Sequence, residues 1–137
     1  MRARLCALAA LALVGAGCGG GGNQPTFPDL HPVKGVVTRG GAPVKGGAVA
    51  FAPNPPQPDF LINSEVGPYG TFELSTVRTT DRTGERRKGA PAGTYKVTFT
   101  PPLGDQTAGG VINPIDAPKP VSVAAGPNDL TVELPKK

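Results

Sequence analysis

An all-β fold, a single antiparallel β-sandwich of about seven short strands, is predicted by three features of the 137-residue chain. Apolar side chains recur at every second position in several windows, and nowhere at the three-and-four spacing of a helix. Glycine and proline are abundant, at 20 and 17 residues, and fall between the alternating windows, where they read as turns. The prolines from Pro43 to Pro135 are spread so that almost any helix would be broken.

The chain opens with a different kind of segment. Residues 1–17 hold Arg2 and Arg4, an apolar run from Leu5 to Val14, and the small residues Gly15-Ala16-Gly17. A positive start, an apolar stretch and small residues before a processing point describe a secretory signal peptide. The run is shorter than the roughly 20 apolar residues that span a bilayer. Gly15-Ala16-Gly17-Cys18 resembles a bacterial lipobox, with glycine at the first place where an aliphatic residue is usual. That resemblance implies a diacylglyceryl group on the Cys18 thiol and cleavage that leaves Cys18 as the new N-terminus. Ordinary cleavage before Gly17 is the competing reading and would release a secreted protein. Residues 18–32 follow as a tether: Gly19–Gly22 carry no side chains to pack, and Pro25, Pro28 and Pro32 favour extended backbone. Phe27 and Leu30 are the tether residues able to pack on the domain as a strap.

Residues 33–137 form the sandwich domain. Val33–Thr38 is the first strand, with Gly35 read as a bulge. Val49 and Phe51 alternate with Ala48, Ala50 and Ala52, and Phe60–Val66 supplies a further strand. Phe72 and Leu74 alternate with Thr71, Glu73 and Ser75. The clearest strand is 94–100, where Tyr95, Val97 and Phe99 share one face and Thr94, Lys96, Thr98 and Thr100 the other. Val121 with Val123, and Leu130 with Val132 and Leu134, complete the set. The predicted core is Val37, Val49, Phe51, Phe72, Leu74, Tyr95, Val97, Phe99, Val121, Val123, Leu130, Val132 and Leu134. Long turns are expected at Asn54–Asp59, at the polar, basic stretch Thr76–Ala92, and over Pro101–Pro120.

Several of these segments, in this order, resemble the carboxypeptidase regulatory-like (transthyretin-like) β-sandwich of small bacterial lipoproteins. They are Val33-Lys34-Gly35-Val36-Val37-Thr38, Gly41-Ala42-Pro43-Val44, Ala48-Val49-Ala50-Phe51, Gly70-Thr71-Phe72-Glu73-Leu74, Gly89-Ala90-Pro91-Ala92-Gly93-Thr94-Tyr95-Lys96-Val97 and Ala125-Gly126-Pro127-Asn128-Asp129-Leu130. The resemblance covers roughly residues 33–135. It implies an accessory module, not an activity. The family's aspartate-bearing turn is replaced here by Val66-Gly67-Pro68-Tyr69-Gly70, so no bound cation is expected there.

Composition narrows the chemistry. The chain carries 14 Lys+Arg against 10 Asp+Glu; without Arg2 and Arg4 the balance is 12 against 10, so nucleic acid is not an expected partner. Cys6 falls in the apolar run and Cys18 at the lipid site, which leaves no intramolecular disulfide. One histidine, His31, and a C-terminus reading Leu134-Pro135-Lys136-Lys137 do not match the transthyretin-like hydrolases, which need two histidines, an arginine and a Tyr-Arg-Gly-Ser end. A serine nucleophile at Ser64, Ser75 or Ser122 lacks a partner base in any recognisable motif. Zinc would want three or four ligands, and neither metal nor cofactor is expected. The sequence therefore reads as a non-catalytic, extracytoplasmic structural or interaction module, held to the membrane by lipid on Cys18.

Two surface features remain. The basic run Arg78, Arg82, Arg86, Arg87 and Lys88, interspersed with Asp81 and Glu85, reads either as a contact for anionic lipid heads, an anionic wall polymer or an acidic envelope protein, or as a solvated loop. Tyr69 and Phe60 are the aromatic residues left for the alternative function, a glycan- or polymer-binding surface.

Overall fold

A computed structural model describes residues 24–103 and 113–136. Cys18 and the signal segment lie outside the described residues. Within them the fold is an all-β sandwich built from eleven strands: β1 Val33–Arg39, β2 Ala42–Pro43, β3 Ala48–Asn54, β4 Phe60–Glu65, β5 Thr71–Glu73, β6 Ser75–Arg78, β7 Arg86–Lys88, β8 Gly93–Thr100, β9 Ile115–Asp116, β10 Val121–Val123 and β11 Asn128–Leu134. The smaller sheet has β1 at its centre, with β11 on one side and β5 and β2 on the other. The larger runs β10-β8-β3-β4-β6-β7, with β9 beside the far half of β8.

One pairing departs from the antiparallel expectation. β1 and β11 run parallel in unbroken register, Val33 opposite Asn128 through Arg39 opposite Leu134. Alternation places side chains on faces but carries no information on strand direction. The whole chain between these strands serves as the crossover that a parallel pair requires.

The inner faces of the two sheets meet in one core. Val33, Val37, Val49, Phe51, Ile62, Phe72, Leu74, Tyr95, Val97, Phe99, Val123, Val132 and Leu134 are all buried there. Phe51 on β3 touches Phe72 of the opposite sheet, with ring centroids 5.8 Å apart, and Tyr95 of the neighbouring β8, at 5.9 Å. The Tyr95 hydroxyl donates to the Pro91 carbonyl, which satisfies the polar end of a buried ring. Burial pushes its phenol up to about 12.

Val121 and Leu130 are half-buried, not core, because each packs against the rim of the cluster. Gly35 is not a bulge. It sits in regular pairing between Phe72 and Leu130. A Cβ at Gly35 would lie 2.3 Å from the Leu130 carbonyl oxygen and 2.5 Å from Cζ of Phe72, so the ring of Phe72 fills the space a side chain would take.

The expected turn Thr76–Ala92 folds largely as a hairpin, β6 and β7, at one edge of the larger sheet. No apolar alternation announces β7, because all three of its residues are exposed. Thr76 of β6 is fully buried, and its hydroxyl donates to the Gly89 carbonyl at 2.8 Å.

Candidate functional site

Register decides what the β6–β7 edge presents. Phe60 of β4 pairs with Arg78 of β6, and Thr76 of β6 pairs with Arg87 of β7. Thr76 faces the core, so Arg78 and Arg87 stand on the same side, two residues along β6 and one strand further out. Their faces continue the interior surface of the larger sheet toward its rim. The strap covers that rim.

Both guanidiniums stand over the Phe27 ring, with Arg78 Cζ and Arg87 Cζ each 4.4 Å from its centroid. The Phe60 ring meets it at 5.8 Å with a 44° tilt. Arg78 also donates from Nη1 to the Pro25 carbonyl at 3.3 Å, so backbone and ring are gripped together. Guanidiniums stack well on aromatic faces, and such contacts strengthen as water is excluded. Four residues on, the His31 amide donates to the Ala90 carbonyl at 2.9 Å and the Ala90 amide returns a bond to the His31 carbonyl at 3.0 Å. This two-bond bridge needs Gly89 beside it: its φ is +102°, and a Cβ there would approach the His31 carbonyl oxygen to 2.7 Å. The Gly126 amide donates to His31 Nδ1 at 3.1 Å, so the single histidine is occupied in seating the strap. Residues 25–31 thus rest on the sandwich at two points.

Carboxylates hold the clasp arginines from behind. Glu85 accepts from Arg78 Nη2 at 2.6 Å and from Arg87 Nε at 2.9 Å, and so bridges the two cations. Arg78 Nε is buried and lies 3.9 Å from Asp81 Oδ2, too far for a hydrogen bond. Hydrogen bonding from Arg87, then its charge, and then Arg78 hold the Glu85 carboxyl below the usual carboxylate range. The Thr83 hydroxyl and backbone amide do the same for Asp81, which accepts from both at 2.6 and 2.8 Å. A depressed carboxylate stabilises the fold above the ordinary range and loses that contribution as pH falls through its native value. The hairpin turn is therefore expected to hold its geometry down to the ordinary carboxylate range and to loosen only below it. Amide chemical shifts of Thr83 and Arg87, followed across an acid titration, check this. A turn that loosens between pH 7 and 5 contradicts it.

The five basic residues do not form one patch. Arg78 and Arg87 face Phe27. Arg86 stands on the outer face of the sheet and donates to Asn63 Oδ1 at 2.8 Å, and Lys88 reaches Glu73 at 3.5 Å. Arg82 projects from the turn and, like Arg86, has no carboxylate partner among the described residues. Sequence reasoning grouped the five by proximity and did not find their partner, because Phe27 lies 51 positions before Arg78. The signal that could have found it is a solitary aromatic between prolines, Pro25-Thr26-Phe27-Pro28.

The aromatic pair named for glycan binding is not assembled. Phe60 is covered by Phe27, and Tyr69 stands 79% exposed in the turn beyond the other end of β4. Ser64 is engaged: its hydroxyl donates to the Glu65 carbonyl at 2.7 Å and accepts from the Glu73 amide at 3.2 Å. Comparison of the chain with protein-family models, curated proteins and solved structures finds no match.

Proposed function

We propose that this chain is a lipid-anchored, non-catalytic module of the cell envelope, built on a carboxypeptidase regulatory-like sandwich and tied to the membrane through Cys18. The lipobox-like signal supplies the address. The observation that carries the reading is the clasp. Phe27, nine residues after Cys18, is held against the domain by the guanidiniums of Arg78 and Arg87. A domain whose connection to its leader is gripped by two guanidiniums, an aromatic ring and a two-bond backbone bridge is suited to bear a tether. Acylation at about 0.8 kcal/mol per buried methylene makes several chains a durable anchor where one is marginal.

Expression of the full chain and its Cys18→Ser variant, followed by fractionation, tests this. The native chain is expected in the membrane fraction and extractable only by detergent, and the variant outside it. Recovery of both from the soluble extracytoplasmic fraction would favour the secreted alternative and end the anchoring proposal.

A further inference from the structure

The clasp fixes where the anchor leaves the domain, and with it which surface faces the membrane. Pro25 and Phe27 are held by Arg78 and Arg87 of the β6–β7 hairpin, which also carries Arg82, Arg86 and Lys88. These three cations are not used in gripping Phe27: Arg82 and Arg86 lack a carboxylate partner among the described residues, and the Lys88 side chain is 83% exposed. Six residues separate Cys18 from Pro25, four of them the Gly19–Gly22 run. A glycine-rich coil of that length has a root-mean-square span of about 15 Å. That is about two Debye lengths at physiological ionic strength, so the charges act on a headgroup layer only when the short tether lets this edge settle onto it.

We infer that the Phe27 clasp orients the sandwich with its β6–β7 edge toward the membrane, where Arg82, Arg86 and Lys88 form a contact surface for anionic phospholipid headgroups. The inference rests on the anchoring proposed above. The partner is a lipid surface, not an acidic protein, because only six residues join the proposed lipid site at Cys18 to Pro25, which is held on the hairpin that carries these cations. Asp81, Glu85 and Glu73 pair with Arg78, Arg87 and Lys88 and leave the edge net positive. Releasing Phe27 moves the first fixed point of the strap back to His31, at the bridge with Ala90, and frees the hairpin from the exit path.

The test uses the lipidated full-length protein with Thr80→Cys in the exposed β6–β7 turn, carrying a fluorophore. It is reconstituted into vesicles of phosphatidylcholine alone or mixed with phosphatidylglycerol, both doped with a headgroup-linked quencher. Strong quenching is expected in the anionic vesicles, falling severalfold in the neutral vesicles or in high salt. Arg82→Glu with Lys88→Glu is expected to abolish it without touching the clasp. Phe27→Ala should reduce it severalfold with the near-ultraviolet signature of buried Tyr95 intact, and Phe27→Tyr should restore it. Equal quenching in both vesicle types, or no loss in Phe27→Ala, overturns the inference. So does quenching that survives the double charge reversal. If the protein fails to float with the vesicles, the anchor itself is absent and both proposals fall; floating without quenching removes only this one.

Discussion

Replacing Phe51 by alanine is expected to cost about 3–5 kcal/mol of unfolding free energy, the range for deleting a buried aromatic ring. Phe51 is 2% exposed and is the residue through which the two sheets meet ring to ring, with Phe72 on one side and Tyr95 on the other. Its removal leaves a cavity walled by two rings that belong to different strands and cannot close on each other without shifting a sheet. Domains of this size have roughly 5–15 kcal/mol of stability in all, so the variant is expected to be close to unfolding at ambient temperature. With no disulfide predicted, nothing covalent would offset the loss. A urea titration followed by Tyr95 fluorescence gives the number. A loss below about 1 kcal/mol would mean that the sheets do not meet at Phe51.

The second large effect comes from adding one methyl group. Gly35→Ala would normally help a strand, since alanine loses less backbone freedom than glycine, by roughly 0.5–1 kcal/mol. Here the sign is reversed. The new Cβ would press on the Leu130 carbonyl of β11 and on the Phe72 ring from β5 at once. The ring has somewhere to turn only by leaving the core, and the carbonyl belongs to the parallel ladder that joins the two ends of the domain. Overpacking of this kind costs about 1–3 kcal/mol and sometimes more, and this site belongs at the top of that range. Trimming the ring as well, in Gly35→Ala with Phe72→Leu, should recover only part of the loss, because the clash with backbone remains. A neutral or stabilising Gly35→Ala would show that β1 does not run between β5 and β11 as described.

The sequence disclosed those parts of the molecule in which one face of a strand is greasy and the other wet. Tyr95-Val97-Phe99 and Val132-Leu134 alternate cleanly because β8 and β11 each cover the core along much of their length. The β6–β7 hairpin was hidden for the opposite reason. Its inner face meets a guanidinium-gripped strap in place of apolar side chains, so Ser75-Thr76-Val77-Arg78 and Arg86-Arg87-Lys88 show no alternation. Thr76 is fully buried yet polar, which a count of apolar residues passes over. The strap itself was half legible: Phe27 stood out as a packing residue in a tether, but nothing local identifies two arginines more than 50 positions away as its partners. Parallel pairing of β1 with β11 was illegible, since strand direction leaves no mark on either segment. The glycine at position 35 was visible, but the ring that requires it was not.

An anchored role for this protein depends on how its mature chain begins. The decisive measurement is the mass of the N-terminal peptide recovered from the membrane fraction of cells producing the native protein. A peptide that starts at Cys18 and carries the added mass of a diacylglyceryl group, with or without a third acyl chain, is the predicted result. An unmodified peptide that starts at Gly17, or a retained leader with a free Cys18 thiol, would contradict the anchored module and leave the Phe27 clasp without a membrane to orient toward.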